Sequence, residues 1–270
     1  MVCEGEDQKL TFAHVDDLGL AAEGGVLPRQ ASTQFVASSL GPLIEACMLG
    51  EGGLLPQLAS NPWINAGWLA PLARRIGGSA TGWTCSTGMT GYLKTGAVFD
   101  DDADTRWAAF GLKAQAAAES ANFSHALAVQ FLGAIKELHS NIYEHSEASE
   151  TGLVAFAAQS ETFEFTVADR GQGVLASLRT NPDHAGITSH GEALRRALKS
   201  GVSRHKNELG RGQGFDRMFT GLANLNAALR FRSGNAALTL DGTTVETMRP
   251  LIRQKPGMYG FLIAVEVRHH

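Results

Sequence analysis

Glu137 and Asn141 stand four residues apart in the run KELHSNIYEH, and Asp169 opens the run DRGQG at 169–173. Residues four apart on a helix share a face, so the first pair offers a carboxylate and an amide to one ligand. A carboxylate can take a proton from an attacking water or hydroxyl. An amide oxygen is a hard donor of the kind Mg²⁺ accepts. Asp169 ends an apolar run, and Gly171 and Gly173 after it let backbone approach a ligand closely. A second turn, GRGQGF at 210–215, places Gly210, Gly212 and Gly214 ahead of a helix-like segment. Backbone N–H groups at a helix N-terminus hold phosphate, and Arg211 and Lys206 lie nearby to add positive charge.

The elements that must position these groups are legible from pattern. Residues Trp107 to Ser146 contain no proline and are dense in alanine, leucine, lysine and glutamate, which predicts helix throughout. Asn122 or Ser124 divides it by capping a second helix. In that second helix Leu127, Phe131, Ile135, Leu138 and Ile142 recur every three or four residues and form one apolar face. Two strand-like runs, 152–159 and 162–169, follow with a hairpin-sized gap between them. The polar stretch 174–209, around one helical piece GEALRRALKSG, reads as a mobile lid. A helix after the second glycine turn, two strand-like runs (LRFRSG and AALTLDG) and YGFLIAVEV complete the chain.

The first hundred residues differ in texture. Glycine and proline break them into short apolar segments, with KLTFAHV read as a strand and FVASSLGPLIEACML and INAGWLAPLARRI as short helices. The acidic run FDDDADTR at 99–106 then marks an expected boundary. We therefore expect an N-terminal domain over 1–105, its Trp63, Trp68 and Trp83 mostly core, and a second domain over 106–270.

Taken in order, ELHSN, DRGQG and GRGQG resemble the N, G1 and G2 boxes of the Bergerat (GHKL) nucleotide fold. That fold is shared by histidine kinases, DNA gyrase, heat-shock chaperone ATPases, mismatch-repair ATPases and anti-sigma-factor kinases. The resemblance covers about residues 115–270. It implies an α+β two-layer sandwich, a mixed, mostly antiparallel sheet with helices on one face, binding ATP and Mg²⁺. By the same resemblance, Asn141 is an Mg²⁺ ligand, Glu137 the catalytic base and Asp169 the acceptor for the adenine amino group. Gly171 and Gly173 pass close to the base, and Gly210, Arg211, Gly212, Gly214 and Lys206 hold phosphate. One departure stands out: a Gly-Thr pair before the last strand is common in the family, and here Gly260 is followed by Phe261. His125 lacks the flanking helix pair of a phospho-acceptor module.

Bulk properties narrow the function classes. A net charge of −4 gives no global basic field for nucleic acid. No stretch holds the ~20 apolar residues of a membrane span, and the acidic start VCEGEDQK lacks a secretory pattern. Three widely spaced cysteines fit a reducing compartment. The expectation is a cytoplasmic, ATP-binding and ATP-hydrolysing regulator whose lid closes on Mg-ATP and controls a protein partner or homodimer. Alternatives are a protein kinase of the anti-sigma or histidine-kinase type and a non-hydrolysing nucleotide sensor.

Overall fold

The computed structural model describes residues 8–27, 34–198, 227–241 and 251–269. The first of these residues form a parallel three-stranded sheet of two-residue strands, β1 (Gln8–Lys9), β2 (Phe35–Val36) and β3 (Ile64–Asn65). Between them run helices α1 (Phe12–Glu23) and α2 (Leu40–Glu51), and α3 (Ala70–Ile76) follows. The KLTFAHV strand expected near the start is mostly α1, because Thr11 caps the helix: its hydroxyl takes the His14 N–H and the His14 ring returns to the Thr11 N–H.

The large sheet has eight strands in the order β10-β9-β8-β11-β7-β6-β5-β4, antiparallel throughout. Its members are β4 (Gly82–Thr84), β5 (Thr90–Lys94), β6 (Leu153–Gln159), β7 (Thr162–Asp169), β8 (Ala228–Ser233), β9 (Ala236–Asp241), β10 (Leu251–Gln254) and β11 (Phe261–Arg268). The β6–β7 hairpin turns on Ser160 and Glu161, the latter at φ 61°. Helices α4 (Asp101–Ser120), α5 (His125–His145), α6 (Gly173–Arg179) and α7 (His190–Leu198) supply the rest of the described α-helix. Ser124 caps α5 through the Leu127 N–H, as its position in the sequence implied. The acidic run starts α4, with Asp100 capping it through the Ala103 N–H.

Two expectations need correction. Helices were expected on one face of the sheet, yet both faces are covered. On one face Phe110, Phe131, Ile135 and Leu138 of α4 and α5 pack on Val154, Phe156, Phe163, Phe165 and Phe231. On the other, Leu43, Ile44 and Leu49 of α2 and Leu72 of α3 pack on Leu153, Ala155, Ala157, Leu262 and Ala264. A sheet buried on both faces needs continuous apolar strands, and Leu153–Ala158 is such a run. The expected boundary at 105 falls inside α4, and β4 and β5 from before it are strands of the same sheet as β6. Trp63 is buried in the second layer, with Trp68 and Trp83 packed against it.

The expected lid is corrected as far as residue 198. Leu175, Leu178, Ile187 and Ala193 form a small core of their own, and Leu194 joins the α4–α5 core. Apolar residues spaced among many polar ones were enough to close these two short helices onto the sheet. Among the described residues no helix is long and apolar enough to cross a membrane.

Candidate functional site

Asp169 is the last residue of β7 and is fully buried. Its Oδ1 accepts the Gly171 N–H at 2.8 Å, and the Phe261 N–H also donates to the carboxyl. Among the described residues its Oδ2 is buried with no partner. Burial pushes the carboxyl up to about 7, against the two backbone donors that favour the anion. A buried acid with one oxygen unsatisfied is a costly arrangement for a protein that uses it only structurally.

The turn after Asp169 is fixed by two neighbours. On one side it rests on the end of α5: Gln172 donates its backbone N–H to Ser146 O (2.8 Å) and its Nε2 to His145 O (2.9 Å). A Cβ on Gly171 would lie 2.0 Å from Ser146 O, so no other residue fits there. On the other side, Ser233 at the end of β8 donates to Gly260 O (2.7 Å) and accepts the Val174 N–H (3.0 Å). Gly173, at φ +74°, would carry a Cβ 2.8 Å from the Ser233 hydroxyl. Both glycines are thus required by close approach of protein to protein, a reason that stands apart from the ligand approach expected of them.

Strand register explains why these groups converge. Phe261 pairs with Asp169 on β7 and with Ser233 on β8, so the three residues form one row across β7, β11 and β8. Row neighbours point to the same face of a sheet.

Asn141 lies on α5 one turn before His145; it is buried, and among the described residues its Nδ2 has no partner. Glu137 is exposed on the same helix. The pair therefore shares a helical side, but its members differ in environment. Near them His139 stacks on Trp107 (ring centroids 4.3 Å apart), and burial lowers its imidazole to about 4. Gly210, Arg211, Gly212, Gly214 and Lys206 lie outside the described residues. Among the described residues no group of three His, Cys, Asp or Glu side chains is placed to hold a metal ion.

A cleft of about 580 Å³ opens beside the turn. Its lining includes Gly171–Gly173, Ser233–Asn235, Gly257–Gly260, His190 and the Gly52–Leu54 loop after α2; Asp169 and Asn141 do not line it. Arg170 of the turn pairs with Glu51 at 3.2 Å, which ties this loop to the turn. Ser233, His190, Tyr259 and residues 52–54 were not singled out from the sequence. The available signals were the glycine runs EGGLL at 51–55 and SGN at 233–235, unremarkable in a chain with 31 glycines.

No protein-family model, no curated protein and no solved structure matches this chain.

Proposed function

We propose that the chain binds ATP with Mg²⁺ through a histidine-kinase-like nucleotide fold and acts as a regulator whose partner or self association follows the nucleotide. The observation that carries this reading is the Oδ2 of Asp169, which has no partner among the described residues and is buried at the end of β7 beside a glycine turn. An acceptor in that position is satisfied by an N–H donor, and the exocyclic amino group of adenine is one. The antiparallel sheet, with α4 and α5 on one face and the Asp169 turn seated on the end of α5, is in keeping with the order of the first two motifs.

The residues present fit such a ligand in part. Asp169 fits the base. Asn141 fits a single side-chain ligand to Mg²⁺, an ion that usually keeps several waters and takes phosphate oxygens for its other positions. Bound there, Mg²⁺ would draw charge from the phosphates, and Glu137, exposed on the same helix, would accept the proton of the attacking water. The phosphate-holding turn of this reading is the one outside the described residues.

The test is calorimetric titration with ATP, with and without Mg²⁺, followed by phosphate release from the same sample. Mg²⁺-dependent binding with steady release is the expected outcome. Binding without release reassigns the chain to kinase or sensor duty, and absence of binding ends the nucleotide reading. Glu137→Ala is expected to bind ATP as the parent does and to lose release.

A further inference from the structure

The two backbone segments that hold the Asp169 carboxyl are each gripped by the N-terminal layer. Oδ1 takes the Gly171 N–H from the turn after β7, and the Phe261 N–H at the start of β11 also donates to the carboxyl. Arg170, next to Gly171, turns its side chain to the end of α2: it pairs with the Glu51 carboxylate at 3.2 Å and donates to the Glu51 carbonyl at 3.4 Å. Gly257, one short segment before Phe261, donates its N–H to the Glu23 carboxylate at the end of α1. Glu23 and Glu51 are the last residues of their helices. One carboxylate from each helix thus reaches the segment that carries one of the two donors.

Packing reinforces the grip. Pro256 occupies the space a Cβ on Gly19 of α1 would need, and Tyr259 lies within ordinary contact of Gly52, the neighbour of Glu51. Gly260, between the segment bound by Glu23 and Phe261, lies against the Asp169 carbonyl. Glu23 is exposed, and Arg170 and Glu51 are 34% and 36% exposed. Ion pairs and hydrogen bonds so open to water add little to folding, so what these two carboxylates supply is position.

The consequence falls on Oδ2. With backbone N–H groups held on the carboxyl, a proton on it resides on Oδ2 and turns that oxygen from acceptor to donor. The two N–H groups favour the ionised form, so withdrawing either raises the pH at which Oδ2 becomes an acceptor. Burial already places that pH at about 7. Arg170 turns away to Glu51, His145 of α5 meets the turn through its carbonyl oxygen, and His190 of α7 lines the same cleft as the turn; none of the three contributes to the value.

We propose that Glu51 and Glu23 are positioning residues through which the N-terminal layer holds both backbone donors on the Asp169 carboxyl, and so keeps Oδ2 ready to accept the base amino group. The ligand in this statement rests on the nucleotide reading above, whereas the grip on Asp169 stands without it. The first hundred residues thereby set the binding competence of a site built on the other side of the sheet.

The experiment follows the Asp169 carboxyl by ¹³C NMR from about pH 5 to about pH 9 in the ligand-free full chain, with Asp169→Asn to assign the signal. The same titration is run on Glu51→Ala, Glu51→Gln, Glu23→Ala and Glu23→Gln, whose exposed positions allow folding. Alanine and glutamine remove the same charge, but only glutamine keeps an oxygen for Arg170 or Gly257. Both alanine variants are expected to move the midpoint up by about half a pH unit, through partial loss of a hydrogen bond to the anion, while the glutamine variants keep the parent's midpoint. Loss of a negative charge alone would move it down, so a rise reports position. ATP affinity by calorimetry then falls about twofold at pH 7 in the alanine variants and is unchanged near pH 9, because only the ionised fraction binds. A midpoint that stays or falls in an alanine variant overturns the role of the residue replaced, as does an equal rise with glutamine. An equal loss of ATP affinity at both pH values overturns the link between the grip and the base. A parent in which Asp169 titrates as expected but ATP does not bind overturns the nucleotide reading and leaves the positioning role standing.

Discussion

A Cβ placed on Gly260 would lie 2.0 Å from the carbonyl oxygen of Asp169 and 2.5 Å from its Oδ1. Gly260 also sits at φ +69°, a conformation that L side chains rarely adopt. The closest atom, the Asp169 carbonyl oxygen, belongs to the backbone of β7 and cannot give way cheaply. Gly260→Ala is therefore expected to cost at least about 3 kcal/mol, from left-handed strain together with displacement of the β7 end. Urea denaturation measures it. A loss below about 1 kcal/mol would mean that the Asp169 environment rearranges freely.

Asp169→Asn separates binding from stability. The folded value of about 7 lies above the ordinary 3.8, so an unfolded chain releases this proton near pH 4 and the folded one only near 7. Stability from this group thus falls as pH rises from about 4 to 7, and the cost is fully present above 7. The asparagine variant lacks that cost, so it is expected to gain on the parent at pH 8 relative to pH 4. ATP binding should weaken by at least about tenfold, because an amide nitrogen then faces the base amino group. Parallel denaturation and calorimetry at the two pH values check both halves.

Glu164 gives a second pH signature, on the opposite face. It pairs directly with Glu266 across β7 and β11, and its Oε2 caps α2 by accepting the Leu40 N–H at 2.7 Å. Burial first, and the Glu266 carboxylate second, push it from 4.5 up to about 7. The sign is that of Asp169: stability is lost between about pH 4.5 and 7. Glu164→Gln keeps an acceptor for Leu40 and removes the ionisation. Its melting temperature should rise relative to the parent at pH 8 and match it near pH 4; a uniform drop at both would show that the glutamate itself is needed.

The two layers are joined by a buried ion network. Arg230 of β8 binds Glu45 of α2 through two hydrogen bonds (2.6 and 2.8 Å) and Asp16 of α1 at 2.6 Å; Arg232 also binds Glu45 and Asp16, and Lys255 binds Asp16. Glu45 is held below the usual carboxylate range: its burial opposes ionisation, and Arg230 and Arg232 outweigh it. Removing one partner strands buried charge, so Glu45→Gln is expected to cost about 3–5 kcal/mol, little altered by salt because the site is shielded from ions. A surface-like loss under about 1 kcal/mol in urea would refute the shielding.

Much of the framework was legible because it is local. The two long helices follow from a proline-free run with apolar spacings of three and four, and Ser124 divides them by a cap that involves only neighbours three residues away. The β6–β7 hairpin follows from a two-residue gap between apolar runs. Asp169 was legible as the end of such a run. Continuous burial of Leu153–Ala158 was also written in the sequence, as an unalternating apolar run, and it signals a sheet covered on both faces. The α+β sandwich with one covered face passed over that signal.

What the sequence determined by itself was the period and capping of α4 and α5, the hairpin and the acidic glycine turn, since each depends on interactions across a few residues. Only the tertiary structure decided that β4 and β5 join β6, that α1–α3 cover the second face, and that Ser233, Gly260 and Asp169 meet. Those contacts join residues far apart in the chain, 234 positions in the case of Glu23 and Gly257, and their selection rests on burying both faces of one sheet at once. Gly171 and Gly173 mark the difference most plainly. Their type is visible in the sequence, but the reason for it, a carbonyl of Ser146 and a hydroxyl of Ser233 at contact distance, exists only once the chain has folded.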